Sequence, residues 1–229
     1  MNKKKILSFI IAAICTIQAF SQQHYSANIA VGVKGGATLS QTMFSPGIEQ
    51  TFITGMLGGV TFRYIEEQHF GLIAEVNIEQ RGWKETFDET QYSFQRKFTY
   101  LQVPLLAHVY FGSDVTRFFF NAGPEIGFMI GESTSANFDF NDIENLPADF
   151  PIENRNTEQF TMDIKNKIDY GISAGLGMEL IAKKRHSILL EGRFYYGLNN
   201  IFNSRKKDTF AASNGMSIMV SLGYMFRIK

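Results

Sequence analysis

Residues 98–130 read FTYLQVPLLAHVYF, then GSDVT, then RFFFNAGPEIGFMI. In the first arm Leu101, Val103, Leu105, Ala107, Val109 and Phe111 share one parity, and Tyr100, Gln102, Pro104, Leu106, His108 and Tyr110 share the other. In the second arm Phe118, Phe120, Ala122, Pro124, Ile126, Phe128 and Ile130 alternate with Asn121, Gly123, Glu125 and Gly127. Successive side chains of a strand point to opposite faces, so this period of two predicts a β-hairpin about the turn 112–116. One face is apolar and the other small or polar. Each arm has roughly the ten residues that a tilted strand needs to cross a bilayer's hydrocarbon core.

The same alternation recurs on both sides of the hairpin. Segments 26–39, 55–64 and 69–82 precede it, and 169–180, 187–198 and 214–226 follow. The plainest is 69–82, where Phe70, Leu72, Ala74, Val76 and Ile78 oppose Glu75, Asn77, Glu79 and Arg81. The links 40–54, 65–68, 83–96, 112–116, 131–167, 182–185 and 199–213 alternate long and short. Eight strands with every second link tight predict an all-β fold, an eight-stranded antiparallel up-and-down transmembrane β-barrel. Pro104 and Pro124 each remove a ladder donor, so bulges are expected at both.

Ahead of the strands, Met1-Asn2-Lys3-Lys4-Lys5 is basic, Ile6 to Ala19 is apolar, and Ala19-Phe20-Ser21 offers a small-x-small cleavage site. This order predicts a signal peptide over 1–21 and a barrel domain over 22–229 that begins at Gln22. Cys15, the single cysteine, falls within the apolar run behind Ile14, so a lipid anchor, a disulfide and a thiolate metal site are all excluded for the exported chain. The 22 basic residues balance 22 acidic ones, which removes any electrostatic case for nucleic acid.

Which face looks inward decides the rest. The polar parity carries Lys34, Arg63, Arg81 and Arg193 against Glu75, Glu79, Glu125, Glu179 and Glu191, together with His108. Opposed charges of this kind suit the narrow interior of eight strands. The apolar parity ends in Tyr64, Phe70, Phe111, Phe118, Phe128, Tyr170, Tyr196, Tyr224 and Phe226, the makings of interfacial girdles. A membrane barrel is therefore expected. A secreted soluble barrel that binds an apolar ligand would turn both faces round and stays open as an alternative.

Three short stretches carry a family resemblance: Leu101-Gln102-Val103-Pro104-Leu105-Leu106, Asn121-Ala122-Gly123-Pro124, and Ser221-Leu222-Gly223-Tyr224-Met225-Phe226. They resemble the PorT-like outer-membrane β-barrel proteins of Bacteroidetes, small barrels of OmpX-like architecture. The resemblance implies the Gram-negative outer membrane, surrounding lipid, and a link to protein secretion. Phe226 resembles the terminal aromatic read by barrel-insertion machinery, although Arg227-Ile228-Lys229 follow it.

Chemistry-bearing residues are few. His108 could serve a membrane-embedded lipid-modifying enzyme as a base, which is the second alternative; the plainer reading is a lumen histidine bonded to Glu125. Arg63 is expected near Glu75, and Glu191 or Arg193 near Glu179, forming a salt-bridge plug that does not conduct. His24, His69 and His186 fall at the short-turn rim, so no histidine cluster for a metal arises. In the acidic insertion 131–167, Asp139, Asn141, Asp142 and Glu144 lack the twelve-residue calcium-loop spacing, and solvated disorder is expected. The expectation is a monomeric, non-enzymatic barrel without cofactor, metal or catalytic residues, acting structurally or binding a protein partner through its extracellular loops, above all 131–167.

Overall fold

A computed structural model of the chain describes residues 27–87, 91–147, 149–151, 156–204 and 208–228. The signal peptide expected over 1–21, Cys15 and His24 lie outside the described residues. Nine strands follow one another: β1 (Asn28–Ser45), β2 (Gln50–Thr51), β3 (Ile53–Ile65), β4 (Phe70–Glu85), β5 (Phe94–Gly112), β6 (Thr116–Ala136), β7 (Ile168–Ala182), β8 (His186–Asn200) and β9 (Ala212–Arg227). All pair antiparallel, in the order β4-β3-β1-β9-β8-β7-β6-β5, and β4 pairs back onto β5 to close the ring. The two-residue β2 adds a short ladder to the end of β4, so eight long strands make the wall.

The orientation of the faces follows from exposure. Leu72, Val76 and Ile78 are 46%, 45% and 52% exposed, whereas Glu75, Glu79 and Arg81 are 4%, 0% and 4%. In the eight segments expected as strands the apolar parity is thus the outer wall, and the soluble barrel with an apolar interior along its whole height is excluded. A closed ring leaves no backbone edge unpaired, which is the condition for β-structure in hydrocarbon. Along β5 the outward apolar run from Leu101 to Phe111 covers about 23 Å of membrane normal at ~3.3 Å per residue and a tilt of ~45°. Phe70, Phe111, Phe118 and Tyr224 stand exposed toward the short-turn end, and Phe128, Tyr170 and Tyr196 toward the other.

A lipid-facing wall makes a sharp forecast. Leu176, 70% exposed and midway along β7, tolerates arginine poorly. Leu176→Arg lowers the unfolding free energy in lipid vesicles by about 2–4 kcal/mol, the cost of a cation near the bilayer midplane. A chemical-denaturation shift indistinguishable from zero would mean that water, not hydrocarbon, covers this face.

At the long-loop end the strands run further than the alternation predicts. Positions 40–45, 83–85, 94–96 and 131–136, expected as loop, are paired strand. The sense of the alternation reverses there: Phe44, Trp83, Phe94, Phe98 and Tyr100 point inward, while Gln95, Lys97 and Thr99 look out. This upper segment is built like a water-soluble barrel, which is why an apolar-outward pattern missed it. A register shift marks the boundary. Thr99 pairs with Gly131 and Tyr100 with Met129, leaving Ile130 unmatched, so Glu132 and Thr134 turn inward opposite Phe98 and Arg96.

The bulges expected at the prolines are absent. Pro104 pairs with Glu125, and Val103↔Ile126 and Ala107↔Ala122 keep a single register on either side. A missing N–H interrupts the ladder without inserting a residue, and only an inserted residue makes a bulge. The second register shift lies between Tyr196 and Asn200, where β8 leaves β9.

Candidate functional site: a filled lumen beneath an aromatic cap

Inward-facing charges fill the lower interior in three tiers. Nearest the short turns, both terminal nitrogens of Arg63 donate to Glu179, at 3.0 and 2.8 Å. His108 Nδ1 lies 2.7 Å from Asn121 Oδ1, and Asn121 Nδ2 donates to Glu191 Oε1 at 2.8 Å. The His108 ring stacks on Tyr110, centroids 5.5 Å apart, above an apolar floor of Ile65, Tyr110 and Phe119. In the middle tier Arg193 donates to both Glu75 oxygens at 2.8 and 2.9 Å and also to Glu191, while Lys34 Nζ reaches Glu75 at 2.6 Å.

The upper tier centres on Arg81. Its guanidinium bonds Glu79 at 2.9 Å, Asp169 at 3.1 Å, and Glu125. Its Cζ sits 3.7 Å from the centroid of the Tyr195 ring, a cation–π contact within a buried site. Tyr195 donates to Asp169 at 2.8 Å, Ser217 to Glu79 at 3.0 Å, and Ser173 to Glu125. Glycine makes room for this: a Cβ on Gly171 would lie 2.7 Å from the Tyr195 ring. Each carboxylate is thus met by a cation and by at least one hydroxyl, as burial of charge requires.

All ten charged or imidazole residues expected inside do face inward, but the pairing differs from expectation. Arg63 meets Glu179 rather than Glu75, and Arg193 meets Glu75 and Glu191 rather than Glu179. His108 bonds Asn121 instead of Glu125. In the eight-strand ring β3 lies opposite β7 and β4 opposite β8, so the two bidentate pairs span the lumen. The interior is narrow enough for a guanidinium to cross it, and adjacency in sequence order is a poor guide to partners there. Asp169 belongs to the network although no expectation named it; its shared parity with Gly171 and Ser173 was the available signal.

Above these tiers the polarity inverts into one aromatic cluster. Phe44, Trp83, Phe94, Phe98 and Tyr100 from the strands pack with Phe87, Phe150, Phe160, Phe202 and Phe210 from the connecting segments. Trp83 is edge-on to Phe44 at 5.2 Å, and Phe94 lies 4.6 Å from Phe160. Polar ties pin the insertion down: Arg96 Nη1 donates to the Met162 carbonyl at 2.6 Å, Arg96 pairs with Glu132, and Gln159 Nε2 donates to Glu85 at 2.9 Å. Farther out, the Tyr92 hydroxyl donates to Asp149 at 2.6 Å, and that carboxylate raises the phenol above its ordinary range.

Most of the described insertion is therefore folded, contrary to the solvated disorder expected for 131–167. Its acidic average conceals Phe138, Phe140, Phe150 and Phe160, which enter the cap. Asp139 accepts from the Asn141 amide and Asp142 from the Asn145 side chain, both local turns, and the Glu144 side chain is outside the described residues. Among the described residues no group of three or more His, Cys, Asp or Glu could hold a metal ion.

The sequence matches the model of the outer membrane protein beta-barrel domain over residues 20–203. The chain belongs to that family. This outer-membrane barrel is similar in fold to solved structures of low identity. OprG from Pseudomonas aeruginosa is 12% identical with a TM-score of 0.51, covering 91% of this chain and 99% of its own. Neisserial surface protein A is 12% identical with a TM-score of 0.48, over 88% and 99%. Outer membrane protein AlkL is 9% identical with a TM-score of 0.46, over 92% and 94%. No protein of curated function matches the sequence.

Long links of an outer-membrane barrel face the cell exterior and tight turns the periplasm. The aromatic cap is accordingly extracellular. At the periplasmic rim, His69 Nδ1 contacts the Tyr110 carbonyl at 3.1 Å and His186 Nδ1 the Tyr224 hydroxyl at 2.7 Å, so the two described rim histidines are used separately.

Proposed function

We propose that this outer-membrane barrel is a monomeric, non-enzymatic and non-conducting scaffold that presents its extracellular cap to a protein partner. The observation that carries the reading is the continuous filling of the interior, ion pairs below and aromatics above. A transport role needs a water-filled path, and a catalytic role needs a base within reach of substrate. His108 is instead fully buried against Asn121, beneath two further tiers of ion pairs and toward the periplasmic end. What such a molecule offers to a partner is the outer surface of its folded loops, the usual place for recognition. A link to protein secretion, implied by the resemblance to PorT-like barrels alone, would put the secretion partner on this same surface.

Two measurements test the reading. In planar bilayers the full-length protein gives no stable unit conductance; a reproducible open channel overturns the plug. From outer membranes solubilised in mild detergent, the tagged protein captures a partner that is lost when residues 137–166 are replaced by a short Gly-Ser linker. Equal capture by a linker variant that keeps the barrel's heat-modifiable electrophoretic mobility would remove the loop from the role.

A further inference from the structure

β6 outruns the strand beside it at the extracellular end. β7 begins at Ile168, opposite Phe128, and the last backbone tie between the two is the Met129 amide donating to the Lys167 carbonyl at 2.7 Å. Above that point the chain leading into β7 leaves the ladder for the barrel mouth. Ile164 is buried in the cap, and the Met162 carbonyl accepts from Arg96. Among the described residues, 131–136 of β6 are therefore paired on one side only, with β5.

One bond fixes which groups look out from the unpaired side. The Asn137 amide donates to the Ser93 carbonyl at 3.2 Å, so its N–H faces β5. In an antiparallel ladder the N–H and C=O of a residue share a side, and the side alternates along the strand. Gly131, Ser133 and Ser135 thus face β5, whereas Glu132, Thr134 and Ala136 face away. No backbone group among the described residues bonds to those three from the open side. They present donors and acceptors at a repeat of ~6.6 Å, twice the rise of a strand.

Proteins ordinarily blunt such an edge with lysine, proline or a cover. This barrel does so on β1, where the Gln50 side chain accepts from the Thr42 amide at 3.2 Å and donates to the Thr42 carbonyl. Gly131-Glu132-Ser133-Thr134-Ser135-Ala136 contains neither lysine nor proline, its carboxylate is taken by Arg96, and Ser133 and Ser135 stand exposed and neutral. A second copy in the same membrane is no match for it. The β6 of that copy also runs outward at ~45° to the normal, so a two-fold axis along the normal crosses the two strands at about 90°, where no ladder forms.

We infer that the open edge of β6 over residues 131–136 binds an extended segment of a different protein, which adds as a further strand in the place that β7 vacates. Main-chain hydrogen bonds to Glu132, Thr134 and Ala136 hold it, so the segment spans about five residues and carries no proline at the bonded positions. The inference rests on the partner role proposed above and supplies its mode of binding.

Amide hydrogen exchange of the full-length protein in lipid nanodiscs, resolved by residue with NMR, tests the edge with a defined probe, a synthetic peptide of alternating threonine and valine. In the free protein Glu132, Thr134 and Ala136 exchange at least about tenfold faster than Ser133 and Ser135, which β5 protects. Peptide at about ten times its dissociation constant slows those three about tenfold, since exchange proceeds only from the unfilled edge. The same peptide N-methylated at every second residue slows none of them. Thr134→Pro removes a donor from the open side and none from the β5 ladder, so it keeps the barrel's heat-modifiable mobility and loses the peptide. Slow exchange at all of 131–136 in the free protein shows an edge already covered and overturns the site. So does a peptide that leaves the three amides unprotected, one whose N-methylated form protects equally, or one that still binds Thr134→Pro. The probe stands in for the partner, so these results do not depend on capture from outer membranes. Undiminished capture by Thr134→Pro would remove the edge while leaving the loop role in place.

Discussion

Arg81→Met costs the barrel about 3–5 kcal/mol of unfolding free energy, because it leaves Glu79, Glu125 and Asp169 buried together without their cation. The guanidinium is the only cation within bonding distance of those three carboxylates among the described residues, and it also covers the Tyr195 ring. Restoring neutrality reverses most of the loss. Glu79→Gln, Glu125→Gln and Asp169→Asn added to Arg81→Met bring stability back to within about 1–2 kcal/mol of the unaltered protein, as expected when a buried ionic group is replaced whole rather than halved. Urea unfolding in vesicles, read by the mobility of unheated samples, measures both. An Arg81→Met protein as stable as the original would mean that water already solvates the upper tier, and the plug would then be a channel lining.

Trp83→Ala removes the centre of the cap and costs about 3–5 kcal/mol, the range for a large aromatic deleted from a packed core. Trp83 is fully buried and touches Phe44, Phe94, Phe98 and Phe202. The loss has a second signature. The insertion is held partly by its own aromatic contacts with this cluster, so trypsin cleaves at Lys165 and Lys167 sooner in the variant. Phe52→Ala, at an exposed position next to β2, changes neither quantity by more than about 0.5 kcal/mol or its equivalent. Unchanged protease resistance in Trp83→Ala would show that the loops are held by something other than the aromatic cluster.

Both results turn on the reversal of the alternation at the Thr99–Tyr100 register shift. Below it the barrel solves the problem of hydrocarbon outside and charge within. Above it the same strands solve the problem of water outside and a greasy interior. One continuous ladder serves two solvents, and the connecting segments need only add rings to a core that the strands have already begun. The Phe138, Phe140 and Phe160 side chains gain by folding onto it what the many neighbouring Asp and Asn residues could not supply.

The faces of this barrel were legible in the residue order because the period of a strand is local: Glu75 and Leu72 differ in parity whatever the rest of the chain does. Strand number, the tight turns and the outward aromatics followed for the same reason, and the outer-membrane fold with them. Partners across the lumen did not follow. Whether Arg63 meets Glu75 or Glu179 depends on the stagger of strands around the closed ring, which sets height, and on an interior narrow enough for an arginine to cross. The cap was equally hidden, since Phe44, Trp83 and Phe202 are far apart in sequence and share no period. Only closure of the ring brings them within contact, and only then does the reversed alternation of the upper strands acquire a core to enclose.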